Sequence, residues 1–125
     1  MCLVGLGGAI GAIVRVWLIH FLPLTLMGIP FQIFFINVLG CFMMGILAEV
    51  FALHGFFPEA FRYFLISGFL GGFTTFSAFS LDFGLLIEKN QWSLAFAYVI
   101  SSVVFSLIFF FLGLKLVRIL STPAF

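Results

Sequence analysis

Long apolar runs and short polar breaks alternate along the whole chain. Runs of the length a bilayer requires, about 20 mostly apolar residues, fall at residues 3–22, 31–51, 61–87 and 92–117. The pattern predicts an all-α integral membrane protein with four transmembrane helices. Pro23 to Pro30 marks the first turn, His54-Gly55-Phe56-Phe57-Pro58 the second, and Glu88-Lys89-Asn90-Gln91 the third. Trp92 then stands where an interfacial aromatic anchor belongs. Every loop is short, so residues 1–125 are expected to form one membrane domain with no soluble part.

The third run breaks its own rule. Residues 68–82 read GFLGGFTTFSAFSLD. Paired glycines followed by paired threonines are poor material for an uninterrupted helix, and carbonyls freed by a break need partners. Irregular backbone at membrane depth survives only where protein, water or an ion satisfies it. Unwound carbonyls and half-helix ends are a common way to hold a cation such as Na⁺ at the midplane. The third helix is therefore expected to be broken near its middle, at Gly71-Gly72 to Thr74. A mild glycine kink, with Thr and Ser bonding back locally, is the plainer alternative. Phe76 and Phe79 follow, three apart and on one face if the helix resumes, with Asp82 continuing the progression.

Polar residues inside the other spans are costly, and so informative. Gly7 and Gly11 place small residues four apart in the first span, a spacing that lets helices approach closely. Arg15 follows them in mid-span. A structural or vestibule role suits it better than direct ion contact, because a full charge at the narrowest point of a pore would hold an anion too tightly. Asn37, Cys41 and Gly45 recur at i, i+4 and i+8 along one face of the second span. A lone membrane asparagine is commonly a helix–helix hydrogen bond, and that reading stands beside a ligand-facing one. Tyr98, Ser102 and Ser106 repeat the spacing in the fourth span, as a hydroxyl stripe about 12 Å long at about 1.5 Å per residue. Serines in membrane helices often bond back to their own backbone. Three hydroxyls on one face also suit a path for a small ion that must be dehydrated without being trapped.

Composition narrows the class. The chain is 65% hydrophobic and 7% charged, against about 25% charged in soluble domains, so it cannot cover a surface with polar groups. A formal net charge of +1 offers no basic field for nucleic acid and no polybasic patch. Cys2 and Cys41 lie far apart without metal or redox spacing. The first apolar run has no basic leader and is too long for a cleaved signal, so it is expected to remain as a helix. His20 and His54 sit near span ends, away from any carboxylate or thiol cluster, which disfavours an enzyme.

Orientation is weakly specified. With four spans, Arg62, Lys115 and Arg118 share one side of the membrane and Lys89 stands alone on the other. This is a small positive-inside bias. A chain with so little bias can insert both ways, and an antiparallel homodimer would supply the inverted halves that many transport proteins build internally.

These residues also carry a family likeness. The sequence resembles the bacterial Fluc/CrcB fluoride channels over essentially the whole chain. The likeness rests on Gly7-Gly8-Ala9-Ile10-Gly11-Ala12 with Arg15, on Asn37-Val38-Leu39-Gly40-Cys41-Phe42 with Gly45, and most specifically on Gly71-Gly72-Phe73-Thr74-Thr75-Phe76-Ser77-Ala78-Phe79-Ser80. The resemblance implies a multi-pass protein of the bacterial inner (plasma) membrane, an antiparallel, dual-topology homodimer with two fluoride pathways. It implies that Phe76 and Phe79 turn ring edges toward the anion, consistent with a quadrupole that is positive at the edge. It assigns Asn37, Tyr98, Ser102 and Ser106 to the polar track, with Arg15, Ser80 and Asp82 as possible pathway or vestibule residues. It places a structural Na⁺ on the dimer axis, held by the backbone carbonyls of Gly71 and Thr74 from both subunits. Two positions depart from the family pattern: Asp82 replaces the usual glutamate, and Ile33 stands where a threonine is common.

The same residues bear on two other functions. A small multidrug-resistance-type proton-coupled exporter needs an acidic residue in the first span, and residues 3–22 contain none. A non-transporting structural subunit predicts no ion movement by the protein alone.

Overall fold

The computed structural model describes residues 1–26, 28–55 and 57–121. Helix α1 spans Cys2–Ile19, α2 Phe31–Leu53 and α6 Trp92–Ser121. The third span is built in pieces: α3 (Glu59–Arg62), a π-helical segment (Tyr63–Leu70), α4 (Gly71–Phe73) and α5 (Phe76–Glu88). Four helical stretches, Cys2–Ile19, Phe31–Leu53, Glu59–Glu88 and Trp92–Ser121, are long and apolar enough to cross a membrane. Two short strands, β1 (Thr25–Leu26) and β2 (Ile29–Pro30), pair antiparallel and turn α1 into α2.

The helices pack as two close pairs. α1 lies along the π-helical segment and α4, and α2 lies along α6. Glycines set the distances. A Cβ at Gly11 would collide with the Phe69 carbonyl, and one at Gly72 with the Gly8 carbonyl. Across the other pair, Gly45 faces the Phe110 carbonyl and Gly113 the Phe42 carbonyl with the same lack of room. Between helices in lipid the driving force is close van der Waals packing rather than exclusion of water, so these bare backbones are where the contact forms. At one end of the second pair, Arg118 Nε and Nη2 donate to the two carboxylate oxygens of Glu49 at 3.0 and 3.3 Å. Glu49 is only 7% exposed, and breaking such a pair would strand a buried charge.

The turn from α5 to α6 is fixed by its own backbone. Asn90 adopts φ 60°, the Asn90 N–H donates to the Ile87 carbonyl, and the Gln91 N–H donates to the Leu86 carbonyl, both at 2.9 Å. This paired closure of a helix end needs a left-handed residue, which asparagine supplies at little cost. It brings Leu86 onto Ala95 and Tyr98, and Phe79, Phe83 and Phe34 pack around that cluster.

The break in the third span lies later than the glycines suggest. Gly71 is right-handed helical at φ −62°, ψ −36°, and Gly72 remains inside α4. The helix opens instead at Thr74 (φ −83°, ψ 158°) and Thr75 (φ −151°, ψ 121°), both extended. Gly72 serves approach to α1, and the threonines make the break. Thr74 Oγ1 donates to the Leu70 carbonyl at 2.9 Å, and Thr75 Oγ1 accepts from the Ala78 N–H at 3.1 Å, capping α5. The exposed peptide of Thr75 is then taken up by one side chain. Its N–H donates to Asn37 Oδ1 at 2.9 Å, and its carbonyl accepts from Asn37 Nδ2 at 3.1 Å.

Asn37→Leu keeps the branched outline of the side chain and removes both bonds. The Thr75 N–H left unpaired is expected to cost about 1–3 kcal/mol, read as a lower unfolding midpoint of the purified protein in mixed micelles. A variant as stable as the parent would show that the break does not need this amide.

Candidate functional site

The break opens into a groove of about 340 Å³ between α2, α5 and α6. Its wall is formed by Asn37, Cys41, Thr74, Thr75, Phe76, Phe79, Ser102, Val103, Ser106 and Leu107. Helical spacing brings each contribution in from a different element: Asn37 and Cys41 from α2, Ser102 and Ser106 from α6, and the aromatic pair from the first turn of α5. Among the described residues no Asp, Glu, Lys, Arg or His lines it. What it offers an ion is neutral hydrogen-bond donors and aromatic rings.

The donors differ in what remains to them. Asn37 spends its Oδ1 and one Nδ2 hydrogen on Thr75, which leaves the second amide hydrogen for the groove. Ser102 is 5% exposed, and its Oγ has no hydrogen-bond partner among the described residues. A buried hydroxyl in an apolar helix normally bonds back to its own backbone. Ser101 next to it does so, donating to the Ala97 carbonyl at 2.6 Å. Ser102 is thus a buried donor held in reserve on the groove wall, and Ser106 lies one turn further along the same face.

Phe76 and Phe79 have ring centroids 5.5 Å apart. Phe79 in turn lies 5.0 Å from the Tyr98 ring, whereas Phe76 is 78% exposed and little covered by its own chain. Ser77 and Ser80 are exposed on the same helix, and Ser77 Oγ is hydrogen-bonded to Thr75 Oγ1 at 3.2 Å. In hydrocarbon the Ser80 hydroxyl and the Phe76 ring present an unfinished surface.

The structure separates some residues that the sequence groups. Tyr98 is fully buried behind Phe79 and donates its hydroxyl to Asp82 Oδ2 at 3.2 Å. The pair stands beside the groove, not on its wall, and Tyr98 locks the Phe79 ring from behind. Arg15 on α1 and Ser80 and Asp82 on α5 do not line the groove. Ile33, one turn before Asn37, does not line it either. Cys41, Thr74 and Thr75 do, although sequence reading gave Cys41 no ligand-facing role. Its place at i+4 from Asn37 was the available signal.

The break also divides polarity. Because the Thr75 N–H goes to Asn37, the Gly71 carbonyl loses the helical donor four residues on, and Gly71 is exposed. Thr75 and Phe76, at the N-terminus of α5, open on the groove. A helix N-terminus presents orphan N–H groups and a partial positive charge, and a C-terminus presents carbonyls and a partial negative one. One side of the break therefore favours an anion and the other a cation. Among the described residues no cluster of three or more His, Cys, Asp or Glu could hold a metal, so a cation here would be held by backbone oxygens such as those of Gly71 and Thr74. Hard oxygen donors fit a hard cation.

The sequence has relatives among known proteins. A "Fluoride-specific ion channel FluC" of Rhizobium meliloti (strain 1021) is 47% identical over 120 residues, which cover 93% of this chain and 94% of the relative. One of the same name from Rhodopseudomonas palustris (strain BisB5) is 45% identical over 122 residues, covering 93% and 94%. A more distant one, from Prosthecochloris aestuarii (strain DSM 271 / SK 413), is 36% identical over 119 residues, covering 95% and 93%. The match runs across all four spans, including the broken one and the residues of the groove. Residues 2–114 fit the family described as "CrcB-like protein, Camphor Resistance (CrcB)", and the chain belongs to that family.

Proposed function

We propose that this protein is a fluoride-selective, passive ion channel of the bacterial inner membrane. The observation that carries the reading is the groove itself: an uncharged wall in which Asn37, Ser102 and Ser106 offer hydrogen-bond donors, faced by Phe76 and Phe79. Relatives at 36–47% identity bear the name of that activity.

A small anion entering the groove must exchange its water for protein donors. The second Nδ2 hydrogen of Asn37 and the unpartnered Ser102 hydroxyl are ready to bond it without rearrangement. Phenylalanine ring edges add a weak positive field. The N–H end of α5 adds another. None of these groups carries a full charge, so the ion is bound well enough to enter and weakly enough to leave. A larger halide would fit the same donors less closely. A negative interior drives each anion outward by about 2.3 kcal/mol per 100 mV. Fluoride that enters as neutral HF and dissociates inside is then removed without an energy source or an enzymatic step.

The working unit is an antiparallel homodimer with two pathways. Phe76 and Ser80 support this, because an exposed hydroxyl within a span needs a protein partner. The Glu49–Arg118 pair further neutralises one of the few charges that would fix insertion to one orientation. In that dimer the Gly71 and Thr74 carbonyls of two copies would converge on a structural Na⁺.

Purified protein in liposomes is expected to release fluoride when a potential is imposed, as followed with a fluoride electrode. Efflux equal to that of protein-free vesicles would refute the channel. Phe76→Ile and Phe79→Ile should each slow efflux by about tenfold or more, equivalent to about 1.4 kcal/mol, with the dimer intact by size-exclusion chromatography. Unchanged rates in both would remove the rings from the pathway. Exhaustive replacement of Na⁺ by N-methyl-D-glucamine should abolish efflux, and added Na⁺ should restore it. Full activity without Na⁺ would exclude the cation.

A further inference from the structure

The groove holds one group that anion passage does not require. Cys41 lies one turn beyond Asn37 on α2, is half-buried, carries a free thiol and contributes to the wall. Thiols are common in membrane helices and are usually inert packing. Two features set this one apart. On the same groove wall, Ser102 is 5% exposed and its hydroxyl is without a partner among the described residues, so the wall that Cys41 shares offers an unspent polar group to a polar species. The surrounding residues supply no competing ligand: among the described residues the wall has no carboxylate or imidazole, and the chain's other cysteine, Cys2, is exposed near the N-terminus.

We propose that Cys41 is a thiol modification site within the groove, open to small soft cations of the mercuric class, whose attachment blocks the anion path. Sulfur is a soft donor and prefers soft metal ions, whereas amide and hydroxyl oxygens do not compete for them. Neutral HgCl₂ is small, and it reacts without needing a charged path into the membrane. In the step, the S–H bond of Cys41 and one Hg–Cl bond break and an S–Hg bond forms. The products are Cys41–S–HgCl, a proton and chloride, and no oxidation state changes. The adduct places a bulky, polar group beside Asn37, Ser102 and Ser106, in a groove of about 340 Å³. This is the space a passing anion needs. Cys41 is thus a site through which thiol-seeking metals would act on the protein.

The block rests on the channel reading above; the site does not. The test therefore uses two readouts on full-length protein in liposomes. The first is intact-protein mass after HgCl₂ treatment of parent, Cys2→Ser and Cys41→Ser. The expected result is one mercury adduct on Cys2→Ser, removed by excess dithiothreitol. An unmodified Cys2→Ser chain would overturn the site. The second is fluoride efflux, with each rate referred to the same variant untreated. HgCl₂ should lower it more than tenfold in the parent and in Cys2→Ser, reversibly with dithiothreitol, and less than twofold in Cys41→Ser and Cys41→Ala. Equal inhibition of all four, or an adduct on Cys2→Ser with undiminished efflux, would overturn the block. If untreated parent carries no fluoride, the channel reading fails, and the mass readout alone still decides whether Cys41 is an accessible thiol site.

Discussion

Hydrocarbon supplies no hydrogen bonds, so a chain that opens its backbone there must close the account with its own atoms. Here one residue, Thr75, leaves the helical pattern at its N–H and begins α5 at its carbonyl, and one side chain bonds to both groups. The Asn37 amide has the donor and acceptor to do so, 38 residues away in sequence on a different span. The rest of the site hangs on that clasp. It holds α5 at the angle that brings Phe76 and Phe79 to the groove, and it ties the break to α2, whose next turn carries Cys41. It also diverts the N–H that would otherwise have closed the Gly71 carbonyl.

Opening a helix without unravelling it produces two new ends of opposite polarity. Threonine is well chosen for both. Thr74 ties its hydroxyl back to the Leu70 carbonyl and finishes α4, while Thr75 turns its hydroxyl forward to the Ala78 N–H and starts α5. The break thereby has ends of both polarities, and among the described residues no charged side chain lines the groove beside it. Two carboxylates within the spans are held by neighbours: Glu49 by Arg118, and Asp82 by the Tyr98 hydroxyl.

Packing differs on the two sides of the break. Glycines let α1 meet the first half of the third span, and α2 meet α6, backbone against backbone. α5 by contrast is anchored through Leu86, Ala95 and Tyr98 at its far end and leaves Phe76 uncovered at its near end. A single chain therefore buries its structural contacts and exposes its chemical ones.

Much of this was legible in the sequence because the membrane makes polar residues rare enough to read. Four apolar runs of spanning length, a broken third one and glycines four apart at Gly7 and Gly11 follow from hydropathy and spacing alone. Residue type also marked Asn37, Ser102 and Ser106 as exceptions that lipid would not tolerate without purpose. The tertiary structure decided the rest, because it depends on which groups meet. Glycine has the greater freedom of backbone, so the sequence pointed to Gly71-Gly72 as the break; both stay helical, Gly72 serves contact with Gly8, and the opening passes to Thr74-Thr75. Periodicity placed Tyr98 on one stripe with Ser102 and Ser106, yet burial against Phe79 and a bond to Asp82 turn it to support. Spacing along one helix fixes a face, but only the neighbouring helices determine whether that face becomes a wall, a clasp or a seam.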